Sequence, residues 1–354
     1  MLWEIKKLEN REDFDELEKF YKEKFENLFH YRLTSEYLYW KLNKNTHFNG
    51  VMLVAKYSDK IIGSLSLTIK EGFLGSQNKL IAEIGDSYVD FNAQKKITLI
   101  LKKNKDQRNY SRRSIFGNLA NYLLEMAEKK NIALIYGVPN NKSYQGYTKN
   151  LNFKKINILN TYSFTLPCFK EKKNIFNYSI FLNSIFKIYR KLLCKIFFSQ
   201  FSLTMDENIT SEEINNLSEE KENRFYLNRS YEYFDSKYKL NPENNFKFCK
   251  IFKKSKLIGL FVLKEDSKNK KIYLVDCLVK EEQKLLTKFV AIKSTIDKNY
   301  SVIFWEENTN VKLLEKIIFP MFKRKKINII YYDKKSFDQN LFFNKFHLGF
   351  SDNF

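Results

Sequence analysis

Between residues 83 and 90 the chain reads Glu83-Ile84-Gly85-Asp86-Ser87-Tyr88-Val89-Asp90, which sets three carboxylates in a run of strand-forming residues. A carboxylate held beside an amine can take its proton, directly or through water. Side chains alternate along a regular strand, so Glu83 and Asp86 are expected on opposite faces. Glu83 is the leading candidate base; Asp86 is also a candidate, although its return as Asp276 further along suggests a fold role such as capping or strand pairing, and Asp90 is in reserve. A second signal is Ser111-Arg112-Arg113-Ser114-Ile115-Phe116-Gly117, at the start of a helical pattern. Ser114 is a good helix cap, and Arg112 and Arg113 at a helix N-terminus suit an anion; an exposed arginine pair is the alternative. His30, His47 and His347 stand in no Ser/His/Asp or Cys/His arrangement, so no covalent mechanism is expected. The four Cys lack a Cys-x-x-Cys pair and no zinc spacing can be assembled, so no metal is expected and the thiols read as reduced.

These residues must be carried by a framework that the apolar pattern outlines. Strands are predicted at Val51–Tyr57 and Ile61–Ile69, joined by a tight turn, and again near Ile81–Phe91. Ile115, Leu119, Leu123 and Ala127 recur with helical spacing and predict a helix over Ser114–Lys130. Ile132–Val138 reads as a buried parallel strand. A helix is expected near Ser143–Asn150 and a hairpin near Ile156–Leu166. The lysine-rich segment Ala93–Tyr110 is expected to be a loop.

The order then repeats. Glu36-Tyr37, Asn45 and Lys60-Ile61-Ile62-Gly63 return as Glu232-Tyr233, Asn241 and Lys256-Leu257-Ile258-Gly259, at one constant offset. Asp86-Ser87-Tyr88-Val89 is echoed by Asp276-Cys277-Leu278-Val279, and Phe153–Ile158 by Lys325–Ile329. Matches in the same order argue for a duplicated domain. The expected organisation is α/β: two domains, each a mixed, mostly antiparallel sheet with helices on both faces. The first spans 1–168, a helical linker spans 169–200, and the second spans 201–354.

The first half, with its key residues, resembles the GNAT superfamily of acetyl-coenzyme A-dependent N-acetyltransferases; the second half resembles it weakly. The resemblance implies acetyl-coenzyme A as acyl donor, bound where the fourth and fifth strands splay apart, with its diphosphate at a helix N-terminus. It places cofactor contacts at Tyr88, Val89, Arg112, Arg113, Ser114, Ile115, Phe116, Gly117 and Asn140. Ser111 and Ser114 stand where the family pattern has Arg/Gln and Gly, and Asn152 stands for a usual Gly. Tyr147, and after it Tyr144, matches the tyrosine that protonates the departing thiolate. The second half has Lys280-Glu281-Glu282 and no Gly where a diphosphate would bind, so it is expected to be non-catalytic. The implied acceptor is a small amine, by analogy an amino sugar of a bacterial surface glycan. A Fem-type transferase using aminoacyl-tRNA and a non-catalytic GNAT scaffold are the alternatives.

The net charge of +21 accompanies a composition rich in Lys, Asn, Ile, Phe and Tyr, as an AT-rich coding sequence yields. Because the lysines are spread along the whole chain, no nucleic-acid partner is expected. The start of the chain has no apolar signal segment, so a cytoplasmic protein is expected. Residues 174–198 are apolar but broken by Lys187, Arg190, Lys191 and Lys195, which reads as a packed linker helix or as a basic helix resting on a membrane surface. The sequence does not specify an oligomer.

Overall fold

The computed structural model describes residues 3–28, 30–45, 49–74, 77–103, 114–164, 185, 188–189, 191–217, 225–243, 245–279, 283–298, 301–306 and 322–332. Along the first half run β1 (Glu4–Lys7), α1 (Arg11–Lys24), α2 (Ser35–Tyr39), β2 (Asn49–Tyr57), β3 (Lys60–Leu74), β4 (Gln77–Val89), α3 (Phe91–Lys103), α4 (Ile115–Lys129), β5 (Leu134–Gly137), α5 (Asn141–Gln145) and β6 (Lys154–Phe164). A helical stretch over 191–197, α6, leads into the second half. There follow β7 (Phe201–Asp206), α7 (Ser211–Leu217), β8 (Phe225–Leu227), α8 (Tyr231–Phe234), β9 (Phe246–Lys253), β10 (Lys256–Asp266), β11 (Lys271–Val279), α9 (Gln283–Lys298), β12 (Ser301–Glu306) and β13 (Phe322–Tyr332).

The fold is mixed α/β, and its strands join in the order β1-β2-β3-β4-β5-β13-β6-β12-β11-β10-β9-β7. Neighbours pair antiparallel except β4 with β5 and β11 with β12, which run parallel. The middle of the sheet is a reciprocal exchange. The end of β13 pairs with β5, placing Ile330 opposite Gly137, while β6 pairs with β12, placing Phe164 opposite Val302. The two exchanged strands also pair with each other. The hairpin expected near Ile156–Leu166 is therefore one strand whose partner comes from the far end of the chain. Strand propensity is the same in either arrangement, because it does not name a partner.

Alternation along β3 sorts the two faces of the first half. Leu65, Leu67 and Ile69 join Ala82, Ile84 and Ile135 in a core sealed by Ile115, Leu119, Leu123 and Ala127 of α4. Burying each of these leucines contributes about 1.5–3 kcal/mol. Gly63 lets the start of α4 reach the sheet, since a Cβ there would lie 2.7 Å from Ile115 Cγ2. The opposite face of β3 carries Ser64, Ser66, Thr68 and Lys70, all buried. Part of this face is covered by α1, α2 and the turn that follows α2, through Phe14, Leu17, Tyr21, Leu38 and Leu42. The rest meets the second half, where Ile81, Leu134 and Tyr136 pack with Tyr233, Phe234, Leu260 and Val262.

The segment expected to be a loop after β4 forms a helix instead. Asp90 accepts hydrogen bonds from the N–H groups of Asn92 (2.8 Å) and Ala93 (3.2 Å), capping α3. Ile97 and Leu101, four residues apart, reach the core beside α4. Two buried positions among lysines are too thin a stripe to register as a period, which is why the helix was not expected.

The duplication read from sequence recurs in local structure. Thr34 caps α2 by accepting from the N–H of Tyr37, and Ser230 caps α8 by accepting from the N–H of Tyr233, both at 3.3 Å. Both helices end in a widened turn. The N–H of Asn45 donates to the Trp40 carbonyl and that of Leu240 to the Asp235 carbonyl, each at 2.9 Å. In the linker, Leu193 and Phe198 pack against Phe289 and Val290 of α9. Among the described residues no helix is long and apolar enough to cross a membrane.

Candidate active site

Parallel pairing of β4 with β5 covers only Ile81–Ile84 against Leu134–Gly137. Beyond it β5 ends while β4 continues to Val89, so the end of β4 runs on without β5 beside it, and this end of the pair is the candidate wedge. A bulge marks the point of separation. Gly85 lies opposite Ser66 and Tyr88 opposite Ser64, so Asp86 and Ser87 together face the single residue Leu65. Asp86 takes the bend with φ 48°, a left-handed conformation that aspartate tolerates better than most residues.

The bulge overturns the alternation expected for the two carboxylates. An inserted residue shifts the pleat by one, so Asp86 falls on the same face as Glu83. Asp86 Oδ2 accepts from Ser66 Oγ at 2.6 Å and from Lys41 Nζ at 3.0 Å. Glu83, directly opposite Thr68, accepts from Lys70 Nζ and from the Tyr136 hydroxyl at 3.2 Å. Lys70 also donates to the Tyr136 hydroxyl at 3.0 Å. Glu83 is thus held in a buried ion pair facing the second half, while the Asp86 side chain keeps 18% exposure at the mouth of the wedge. Between the two pairs the Thr68 hydroxyl is buried without a hydrogen-bond partner.

Tyr147 reaches the bulge from the other side of the sheet. Its ring stands edge-on to Phe116 at 4.9 Å and to Phe153 at 5.0 Å. Burial, and then the Asp86 carboxylate, hold its hydroxyl protonated well above the ordinary tyrosine range, partly offset by a hydrogen bond with Ser87. Tyr88 packs on Tyr21 and Phe25, and burial followed by the Asp86 charge pushes it up to about 12. Tyr144 packs half-buried beside the same core. Asp90 is lowered: burial pushes it up, but the α3 amides and Lys24 outweigh that push.

The N-terminus of α4 lies at the edge of this wedge, its first residue against Gly63. Ser114 Oγ accepts from the N–H of Gly117 at 2.9 Å, the cap expected from sequence. The N–H of Ile115 donates to Gln94 Oε1 of α3 at 2.8 Å. Gln94 is steadied by its own amide, which donates to Thr98 at 3.1 Å. A phosphate oxygen would therefore take the place of the Gln94 carbonyl to reach that amide. Phe116 is partly buried, and Val89 packs beside it against the α4 core. Asn140 caps α5, accepting from the N–H of Ser143 at 2.9 Å and from its hydroxyl at 3.2 Å. Arg112 and Arg113 lie outside the described residues.

In the second half the matching carboxylate sits in a closed setting. Asp276 accepts from the hydroxyls of Tyr233 (2.8 Å) and Tyr238 (2.7 Å), and Arg229 lies 3.3 Å away. Lys237 occupies the position that Lys41 holds in the first half and donates to Tyr233 at 3.1 Å. With Leu42 in place of Tyr238 and Leu33 in place of Arg229, the first half leaves its aspartate open. The Asp276 side chain is fully enclosed, at 0% exposure.

His30, which stands in no catalytic arrangement in the sequence, lies at the surface near charged groups of the second half. Its imidazole is held below the usual range by desolvation first and then by the charges of Arg32 and Lys264. Arg32 bonds Glu243 across the halves at 3.3 Å, and Glu243 also accepts from Lys264. A single histidine in a loop carries no periodic or motif signal that could have marked it.

No family model and no curated protein matches the sequence. Solved structures do match in three dimensions. A tandem GNAT protein from the clavulanic acid biosynthesis pathway aligns with TM-score 0.55 and 10% identity, covering 95% of this chain and 100% of its own. A GCN5-related N-acetyltransferase from Anabaena variabilis aligns with TM-score 0.54 and 12% identity, over 93% of this chain and 72% of its own. A glucosamine N-acetyltransferase region of a fungal multi-domain β-N-acetylglucosaminidase gives TM-score 0.55 at 11% identity, over 93% of this chain and 38% of its own. At these identities the likeness speaks for the path of the chain. Together with the short parallel β4–β5 pair and the capped helix between its strands, it shows that this chain has the fold of the GNAT N-acetyltransferases.

Proposed function

We propose that the chain is an acyltransferase that moves an acetyl group from acetyl-coenzyme A to a small amine, using the wedge in the first half. The observation that carries this reading is the parting of β4 from β5 at the Asp86 bulge, with the Tyr147 hydroxyl on one side and the open Asp86 carboxylate on the other. Acetyl transfer needs a neutral amine and a protonated leaving thiol. Asp86 takes the ammonium proton, directly or through water, while Ser66 and Lys41 fix its orientation. Tyr147, which stays protonated, donates to the departing thiolate. Glu83 is engaged with Lys70 and Tyr136, and in this reading it anchors β4 next to the bulge. The N-terminus of α4 and Val89 face the donor, with Arg112 and Arg113 as further candidates for its phosphates.

The acceptor reaches Asp86 from the side of the sheet that the second half covers. The amino-sugar reading of that acceptor rests on the likeness to a glucosamine N-acetyltransferase region. The chain is read as two GNAT-like domains, the second of which, with its aspartate sealed, shapes the acceptor side. Calorimetric titration with acetyl-coenzyme A, followed by turnover against amines that include hexosamines, tests the proposal. Absence of binding by well-folded protein would remove it.

One observation favours a second reading, a scaffold that does not turn over. Gln94 already satisfies the Ile115 amide, where a diphosphate would have to bind. If Gln94→Ala and the unaltered chain both fail to bind coenzyme A, this reading replaces the first.

A further inference from the structure

The linker helix carries apolar residues on two sides, one of them buried against the second half. Leu193 is buried against the second half, and Phe198, just past the helix, stacks on Phe289 at 5.1 Å. On another side, Ile185, Ile188, Leu192 and Ile196 recur at helical spacing. Ile188, Leu192 and Ile196 are 67%, 52% and 60% exposed. A contiguous apolar stripe in water is an unusual feature and marks an interaction surface.

The charges around this stripe point to its occupant. Lys191 and Lys195 lie along one edge of it, and both are exposed. The helix runs into β7, whose first residue Phe201 is paired with Lys253, and the Lys253 ammonium lies 5.8 Å from the Phe201 ring centre. Lys253, Lys254 and Lys256 form the exposed tip of the β9–β10 hairpin at that end of the helix. The acidic groups Asp206 and Glu213 sit toward the other end of β7 and are already engaged by Lys250, at 3.2 and 2.7 Å. An apolar stripe flanked by lysines is what a helix lying in the headgroup region of an anionic bilayer presents.

We infer that the helix bearing Ile188, Leu192 and Ile196 docks the protein in plane on an anionic membrane surface, with these three side chains entering the acyl boundary and Lys191 and Lys195 meeting the headgroups. The helix lies on the surface and does not span it. Its position away from the wedge leaves the proposed acyl transfer independent of docking.

The test is co-sedimentation of the full chain with vesicles of phosphatidylcholine alone or with about one-third phosphatidylserine, across a range of salt. Binding should require phosphatidylserine and weaken as salt rises. Lys191→Glu with Lys195→Glu should lower the partition coefficient at least about 25-fold, from roughly fivefold per lysine removed. Ile188→Gln with Leu192→Gln should abolish binding while leaving circular dichroism and thermal midpoint unchanged, because neither side chain is in the core. Three outcomes overturn the inference: no sedimentation with charged vesicles, equal binding to neutral ones, or self-association in analytical ultracentrifugation that the glutamine pair removes. The last would assign the stripe to a second copy of this chain.

Discussion

Asp86 and Asp276 occupy equivalent places in the two halves, and their surroundings separate their parts. The first has a hydroxyl and an ammonium for partners and faces the wedge; the second is closed in by two tyrosines and an arginine. Asp86→Asn keeps the size and the ability to bond Ser66 but cannot accept a proton. It should lower kcat by roughly a hundredfold or more while leaving acetyl-coenzyme A affinity within about twofold. An unchanged kcat in that variant removes the aspartate as base. Tyr147→Phe should also lower kcat, by roughly tenfold to a hundredfold, with the ring packing on Phe116 and Phe153 retained. Because burial and Asp86 keep the Tyr147 hydroxyl protonated, its titration should leave no mark on the wild-type rate profile below about pH 10. A Tyr147-dependent decline near neutrality would contradict the assigned donor. These residues were visible in sequence as types, but their shared face was not. One inserted residue at the bulge reverses the parity that a regular strand implies; Gly85 inside a strand hints at a bulge, but it does not say which residue is inserted or on which side.

The elements that hold the site were more legible than the contacts between them. Ser114 as a cap and the Ile115, Leu119, Leu123, Ala127 stripe follow directly from helix geometry, and both are found in α4. The helix α3 was hidden because only Ile97 and Leu101 turn inward from a lysine-rich surface. Its consequence for the site is direct, since Gln94 reaches from it to the first amide of α4. The seat of α4 on the sheet depends on Gly63. Gly63→Val should cost about 1–3 kcal/mol in chemical denaturation, because the added methyls meet Ile115 and the backbone of Tyr88. It should also weaken acetyl-coenzyme A binding by tilting the helix start away from the wedge. Normal stability and normal binding together would show that this close approach is incidental.

At the scale of the whole molecule, the repeat in the sequence coincides with matching local features, among them the caps Thr34 and Ser230 and the lysines Lys41 and Lys237. The buried Asp276 cluster ties stability to pH. Burial alone would raise this carboxylate, but Arg229, Lys237 and the two tyrosine hydroxyls outweigh it, so it is lowered in the folded chain. A lowered carboxylate contributes stability above its unfolded value of about 3.9, and that contribution is lost as pH falls through the folded value. Urea midpoints should therefore be level from neutrality to about pH 5 and fall below about pH 4. Asp276→Asn should flatten part of that decline while lowering the plateau, because Arg229 is left without its countercharge. A decline of unchanged depth in this variant would assign acid sensitivity to other groups.

The exchanged strands, which no local pattern could reveal, have a consequence for the birth of the protein. β5 is complete once Gly137 has left the ribosome, yet its neighbour begins only at Phe322. Throughout that interval the nascent first half carries an unzipped margin open to other chains, and closure waits until Tyr332 has been made. Such a sheet should close late in synthesis, and should rely on chaperones more than one whose neighbouring strands follow each other directly.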